Sequence, residues 1–322
     1  MRAALYRRTG GPEALVVEEV PTPEPGPGQV RVRVALSGVN PTDWKSRSGM
    51  TGGQPDGFQV PHHDAAGVVD ALGEGVVGLT VGQRVWTYLA AAGNRYGTAA
   101  ELSALPAQRV VALPDGASDE LGACLGVPAL TAAHCLGSPG AVAGRLVLVA
   151  GGAGAVGHYA IELAKFAGAQ VVATVSNEDK ARLASAAGAD HVVNYRDADA
   201  AQQILSVGRP DRVVEVALGA NLALDLAVSH PGTEVVVYAS EASDPVVPTR
   251  AMMGANITVS WVLLYGVGER RLRDATEWTG AALAAGALSA LPVHVYPLDS
   301  VAAAQQAVQD GAVGKVLVDP RR

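Results

Sequence analysis

A buried strand that runs into a glycine loop and then a helix constrains this fold more than any other feature. Arg145-Leu-Val-Leu-Val-Ala150 leads into Gly151-Gly-Ala-Gly-Ala-Val-Gly157. Gly152, Gly154 and Gly157 make G-x-G-x-x-G in the strand-to-helix context that gives this pattern meaning. The first glycine allows a tight turn. The second lets backbone approach a pyrophosphate, and the third lets the helix pack close to the sheet. The amides of Ala155, Val156 and Gly157 open the helix and face the phosphates. Val156, Ala160, Leu163 and Ala164 line one side of that helix. The pattern predicts a dinucleotide site.

The surrounding sequence repeats the same unit. Near-continuous apolar strands are expected at Arg145–Ala150, Gln170–Val175, Asp190–Asn194, Arg212–Ala217, Thr233–Tyr238 and Ile257–Val262. Strands of this kind are buried on both faces. Helices fit between them, for example Ala155–Ala167 and Glu178–Ala187. The order is βαβαβ twice over, an α/β doubly wound parallel sheet of Rossmann type. Aromatics are only 4% of the chain, so Ala, Val and Leu must fill that core.

The first part of the chain reads differently. Pro and Gly dominate residues 21–28, which excludes helix and central strand there. In Gln29-Val-Arg-Val-Arg-Val34 the valines and arginines alternate, as on a half-buried antiparallel strand. Short runs at Ala66–Asp70 and Arg84–Tyr88 follow, separated by glycine turns. This predicts a small β-barrel-like domain over 1–118. A Rossmann domain over 119–264 follows. Residues 265–322 hold helices near Arg271–Ala285 and Ser300–Asp310 and the strand Lys315–Val318. That segment is expected to return and pack on the first domain.

Charge and cysteine content exclude several classes. The net charge is −7 with no basic block, which argues against nucleic-acid binding. Cys124 and Cys135 form no CxxC pair, so they read as reduced structural residues. No stretch reaches the roughly 18 apolar residues of a membrane helix, and no signal-peptide run opens the chain. The expectation is a cytoplasmic protein.

The second strand of the doubly wound sheet bears on which nicotinamide cofactor is held. An NAD site places an acid near its end, for the ribose 2′-hydroxyl. Here the strand ends Thr174-Val-Ser176. Ser176 would not repel a 2′-phosphate as a carboxylate would, and Lys180, in the first turn of the next helix, either reaches back to that phosphate or is an ordinary solvated lysine. Glu178 and Asp179 complicate this, although acids also suit a helix N-terminus for the dipole alone. NADPH is the expected cofactor.

With these segments in view, the chain resembles the medium-chain dehydrogenase/reductase superfamily, in its zinc-free quinone oxidoreductase branch. The likeness covers nearly the whole chain. It includes Gly10–Leu15, Gly38-Val-Asn-Pro-Thr-Asp43, Arg47-Ser-Gly49, Gly82–Val85, the glycine loop, Asn194-Tyr-Arg196 and Gly314-Lys-Val-Leu317. The resemblance implies a GroES-like catalytic domain, a Rossmann domain and a cleft between them. It implies that Ser176, Lys180 and Tyr195 bind the 2′-phosphate end of NADPH. It puts Asn40 and Thr131 near the nicotinamide. By position, the backbone at Tyr238, Ala239 and Ser240 and at Trp261, Val262 and Leu263 lines the same pocket. Lys315 is placed with the cofactor residues on the same basis. A homodimer through Ile257–Val262 is also implied.

No metal is expected. Zinc alcohol dehydrogenases of the superfamily hold the catalytic ion with Cys, His and Cys. By position those are Asn40, His63 and Val127 here. His62 does not help, because neighbours on a strand point to opposite faces. His62, His63 and Asp64 read either as a polar cluster in the cleft wall or as groups that touch substrate or relay a proton. Without a Lewis acid, an isolated carbonyl is hard to polarise. A quinone or conjugated enone is easier, because positioning and one hydrogen bond to its oxygen suffice.

The tyrosines usual in this branch are replaced at Trp44-Lys45, Met50-Thr51 and Ala99. Lys45 reads either as a substitute proton donor or as a solvated lysine. Asn40, Lys45 and His63 are the catalytic candidates. A pathway-specific enoyl or polyketide reductase and a non-catalytic NADPH-binding sensor are the competing readings.

Overall fold

The computed structural model describes residues 1–51, 53–240 and 243–322. The chain divides into two compact units. One is Met1–Val127 with Ala290–Arg322, and the other is Pro128–Ser289.

The first unit contains β1 (Arg2–Leu5), β2 (Val16–Glu19), β3 (Gln29–Gly38), α1 (Pro41–Arg47), β4 (Asp64–Leu72), β5 (Arg84–Thr87), β6 (Leu102–Pro106) and β7 (Val110–Ala112). A seven-stranded sheet is its body, and β1–β2 form a separate antiparallel pair. The expected alternation in β3 holds. Val30, Val32 and Val34 are buried. Arg31 and Arg33 turn outward and both reach Asp70 on β4. Each buried valine contributes about 1.5–3 kcal/mol. β3 is the hub of the sheet, pairing with β4, with β6 and at its far end with the last strand of the chain.

Helix α2 (Asp119–Leu136) leads into the second unit, which begins with the short α3 (Pro139–Val142). Then β8 (Leu146–Val149), β9 (Gln170–Val175), β10 (His191–Asn194), β11 (Arg212–Glu215), β12 (Glu234–Val237) and β13 (Thr258–Trp261) alternate with helices. The helices are α4 (Ala155–Phe166), α5 (Glu178–Ala186), α6 (Ala200–Val207), α7 (Leu218–Val228) and α8 (Thr249–Ala255), with α9 (Glu269–Ala284) after β13.

The sheet order is β10-β9-β8-β11-β12-β13, all parallel. Leu148, Val172, Val213, Val235 and Val259 lie side by side across five strands. With Ile204, Leu218 and Leu222 they form one core. The strand order reverses direction between β8 and β11, the switch point where such sheets bind ligands.

Both expected domain boundaries move. The start of α2 belongs to the first unit, since Gly122 packs on Ala66 and Leu113. Its end belongs to the second, where the Cys135 carbonyl accepts from Arg212 at 2.9 Å. Residues 265–289 do not return to the first unit. α9 buries a stripe of Leu272, Ala275, Trp278, Ala282 and Leu283 and packs beside α4. Ser289 is then tied down, its amide donating to Glu162 at 3.1 Å. The return begins at Ala290. It consists of β14 (Val293–Pro297), α10 (Val301–Gln309) and β15 (Lys315–Asp319). β15 runs antiparallel to β3 and parallel to β14.

Candidate active site

The glycine loop leaves β8 through Gly151, whose φ is +68°. A Cβ on Gly152 would sit 2.8 Å from Ala173 Cβ. One on Gly157 would sit 2.3 Å from the Gly151 carbonyl oxygen. The protein's own packing therefore requires both glycines. Gly154 differs. Its Cβ would meet only the Gly151 oxygen, at 3.3 Å. Packing does not demand a glycine there, but close approach of a phosphate does. Gly154 is the N-cap of α4 and offers no side chain to cap it. The first intrahelical bond is His158 N–H to the Gly154 carbonyl. The amides of Ala155, Val156 and Gly157 are thus left for a ligand, in a first turn that holds no acid. The loop fits the pyrophosphate of a dinucleotide.

The next two strands end beside each other. Tyr195 follows β10, and its amide donates to the Val175 carbonyl of β9 at 3.0 Å. Ser176 follows β9 and is buried. Asn177 caps α5 by accepting from the Lys180 amide at 2.9 Å, which sets Lys180 in the first turn. Of the two acids in this turn, Asp179 pairs with Arg182. Arg196 lies 5.9 Å from the Tyr195 ring centroid, adding a second cation that the sequence reading did not use.

Other predicted residues of this unit lie apart in the chain. Thr131 is buried in α2. Tyr238 and Ala239 follow β12, with the Tyr238 amide on the Glu215 carbonyl at 3.0 Å. Burial pushes the Tyr238 hydroxyl pKa up. Val262 donates to the Val237 carbonyl at 2.8 Å. Trp261, at the end of β13, is 65% exposed. Sequence reasoning missed a buried carboxyl pair, Glu215 at the end of β11 and Asp225 on α7. Burial raises both, Asp225 to about 8, and Glu215 adds to the effect on its neighbour.

In the first unit, Asn40 caps α1 and is buried. Its amide is engaged at both ends. Nδ2 donates to Asp64 Oδ2 at 2.7 Å. Oδ1 accepts from Lys315 Nζ at 2.6 Å. Asp64 Oδ1 accepts from the Val127 amide at 2.8 Å. Lys315 Nζ lies 3.6 Å from Asp64 Oδ2. Lys315, grouped with the cofactor residues by resemblance, thus sends its ammonium to Asn40. Asp43 Oδ2 accepts from the Asn40 backbone N–H at 2.7 Å, and burial raises its carboxyl pKa to about 8.

The histidine pair does not lie on a strand. His62 has φ +74°, and the strand begins only at Asp64. The two histidines therefore do not alternate across a strand; a left-handed turn at His62 precedes it. His62 sits in an ordered chain of hydrogen bonds. Arg47 occupies Gln305 Oε1, so the Gln305 amide donates to His62 Nε2 at 3.2 Å. His62 Nδ1–H then donates to Ser37 Oγ at 3.0 Å, Ser37 to Thr98 at 2.8 Å, and Thr98 to the Asp64 carbonyl at 2.8 Å. This assigns the tautomer from the network. Burial lowers the pKa of His62 and His63 to about 3, so both rings are neutral at pH 7. Lys45 is half-buried on α1, its Nζ 5.9 Å from the Trp44 ring.

Comparison with known proteins shows the family. Residues 26–115 match the alcohol dehydrogenase GroES-like domain, and 155–281 match the zinc-binding dehydrogenase family. The quinone oxidoreductase of Lama guanicoe is 32% identical, over 99% of this chain and 97% of that protein. The chain belongs to the quinone oxidoreductase family. A 2-haloacrylate reductase of Burkholderia sp is 32% identical over 94% of each chain. A mycobacterial structure complexed with NADPH superposes with a TM-score of 0.85 at 28% identity, covering 99% of this chain and 100% of that one.

Zinc does not fit this quinone oxidoreductase family member at the place where the superfamily holds it. Asn40 has an amide already bound at both ends, and Val127 has no side-chain donor. His63 alone cannot make a three-ligand site. Among the described residues, no group of three His, Cys, Asp or Glu side chains is placed to hold a metal. Nor is any helix among them long and apolar enough to cross a membrane.

Proposed function

We infer that this protein is an NADPH-dependent oxidoreductase that delivers hydride to a quinone or an α,β-unsaturated carbonyl compound, with no metal in the step. The observation that carries the reading is Gly154, a glycine that ligand approach requires and packing does not. Ser176, Lys180 and Tyr195 select the phosphorylated cofactor. Bound NADPH supplies hydride. Addition at the far carbon of a conjugated acceptor leaves negative charge on its oxygen, and a proton completes the reduction. The names of the relatives support this class, since a 2-haloacrylate is itself an α,β-unsaturated acid.

We assign Asn40, with its buried neighbours, to the acceptor's oxygen as a hydrogen-bond donor. Lys45 and His63 are the remaining candidates in the first unit. A neutral His63 is a hydrogen-bond partner rather than an acid at pH 7. Lys45 keeps both roles. The same reading makes the enzyme a cytoplasmic homodimer paired through the exposed edge of β13.

The experiment follows NADPH absorbance with a panel of quinones, enals, enones and enoyl thioesters. Consumption with at least one acceptor, and a preference for NADPH over NADH, is expected. Tight NADPH binding with no consumption would turn the reading to a cofactor-binding sensor. Equal use of NADH would remove the roles of Ser176, Lys180 and Tyr195. Stoichiometric zinc in active enzyme would overturn the metal-free step.

A further inference from the structure

The side chain of an asparagine has two nearly isosteric ends, one donor and one acceptor. Which end meets the substrate decides what the residue does. In this protein two opposite charges settle the matter. Lys315 holds the carbonyl end of Asn40 at 2.6 Å, and Asp64 holds the amino end at 2.7 Å. A reversed amide would set oxygen against carboxylate and N–H against ammonium. Both favourable contacts would become repulsive. All three side chains are buried, so water does not screen the choice.

The surroundings are shaped to hold this trio. A Cβ on Gly126 would lie 2.1 Å from Asp64 Oδ1. A Cβ on Gly38 would lie 2.3 Å from the Ala123 carbonyl oxygen of α2, with Asp64 Cβ at 3.1 Å and Lys315 Cε at 3.2 Å. Gly126 thus makes room for the carboxylate, and Gly38 lets the backbone of α2 approach beside the lysine stem. The Val127 amide takes Asp64 Oδ1, so Oδ2 is the oxygen that meets Asn40, with Lys315 Nζ 3.6 Å from it.

We propose that Asp64 and Lys315 are positioning residues that lock and polarise the Asn40 amide, so that its second Nδ2–H is the donor offered to the acceptor's oxygen. The proposal rests on the placement of Asn40 at the acceptor. Lysine on the carbonyl draws electrons from nitrogen and makes the remaining N–H a stronger donor. Lys315 thereby supplies, at one remove and through an amide, the polarising charge that a metal supplies in other dehydrogenases, while Asp64 fixes which way the amide faces.

The test uses the full-length enzyme with NADPH and 1,4-naphthoquinone. The double variant D64N/K315M removes both charges at nearly constant shape and is the main probe, because either single change leaves a buried charge unpaired. Its kcat is expected to fall roughly 30-fold, short of the 10²–10³ that removing an oxyanion donor costs. KM for the quinone and the Kd for NADPH should stay within about twofold, as for an interaction made only in the transition state. N40A should lose about 100-fold in kcat. Adding D64N/K315M to N40A should cost less than about twofold more, because residues acting through one group are not additive.

N40A at near wild-type kcat would overturn the placement of Asn40 and the lock with it. N40A impaired while D64N/K315M turns over normally would overturn the lock alone. An equal further loss in the N40A background would show a structural role instead. Weakened NADPH binding with kcat kept would make Lys315 a cofactor contact and sink the proposal.

Discussion

The glycine loop and the Asn40 cluster solve opposite problems with opposite materials. The loop binds by taking side chains away, so that backbone amides meet a phosphate. The cluster works by crowding charged side chains into a buried space. The loop lies within seven consecutive residues, 151–157. The cluster joins Asn40, Asp64 and Lys315, and its longest bond spans 275 positions. A backbone-built site is therefore written locally and a side-chain-built site is not.

The largest effect should come from the loop. Gly157→Val would drive a branched side chain into the Gly151 carbonyl, 2.3 Å from the new Cβ. Overpacking of that kind costs about 3 kcal/mol or more where backbone cannot yield. Thermal unfolding should drop sharply and NADPH binding should vanish. Gly154→Ala is the contrast. It should cost under about 1 kcal/mol of stability at an N-cap, while NADPH Kd rises about 10- to 100-fold, read by fluorescence titration. Equal stability losses at both glycines would break the division between packing and ligand roles.

The cofactor end comes next. Ser176→Asp places a carboxylate where the 2′-phosphate is expected. KM for NADPH should rise on the order of tenfold or more, with KM for NADH unchanged or improved. Lys180→Ala should act in the same direction and less strongly. A uniform loss with both cofactors would move the 2′-phosphate elsewhere.

The Glu215–Asp225 pair sharpens the comparison, since it is a buried side-chain device inside the backbone-built unit. Asp225 is raised to about 8 in the folded protein and returns to the ordinary carboxylate range on unfolding. Its contribution to stability is therefore complete below about pH 4 and lost as pH rises through 8. Asp225→Asn should flatten that decline and stabilise the protein at pH 8–9 by on the order of 1–2 kcal/mol, read as thermal midpoints across pH. A decline unchanged by the substitution would mean the pair is not the source.

The smallest effect on catalysis should be at the sheet edge. Trp261→Lys should shift light-scattering mass from dimer to monomer with turnover per chain within about twofold. A monomeric wild type would remove the edge from the functional picture.

Much of the fold is legible because burial leaves a mark on composition. The inner strands of the parallel sheet are short Val-, Leu- and Ala-rich runs whose expected ends fall within about two residues of the observed ones, whereas β13, Thr258-Val-Ser-Trp261, is mostly exposed and is not the doubly buried strand expected there. The helix Glu269–Ala284 shows what is not legible. Its apolar stripe announces that it must be covered, but not by which unit, and residues 265–289 stayed with the parallel sheet. In the site, the glycine pattern and the Ser176-to-Lys180 spacing carry their chemistry locally. The partners of Asn40 do not. Nothing in the sequence around Asp64 or Lys315 tells that they share one amide. The nearest signals are Gly38 and Gly126, whose missing side chains leave the room. His62 also misled, because its left-handed turn breaks the alternation that a strand would impose.

The discontinuity of the first unit has a consequence in time. Residues 128–289 are consecutive, so the parallel sheet has all its strands before the chain is finished. The first unit does not, because β15 and Lys315 are made only after the whole of the second unit. At typical ribosomal speeds of about 5–20 residues per second, Asn40 waits roughly 15–55 s for its lysine. Through that interval Asp64 has no counter-ion and β3 has an open end. A nascent chain would be exposed there to chaperones and to edge pairing, and only the closing strand would end that exposure.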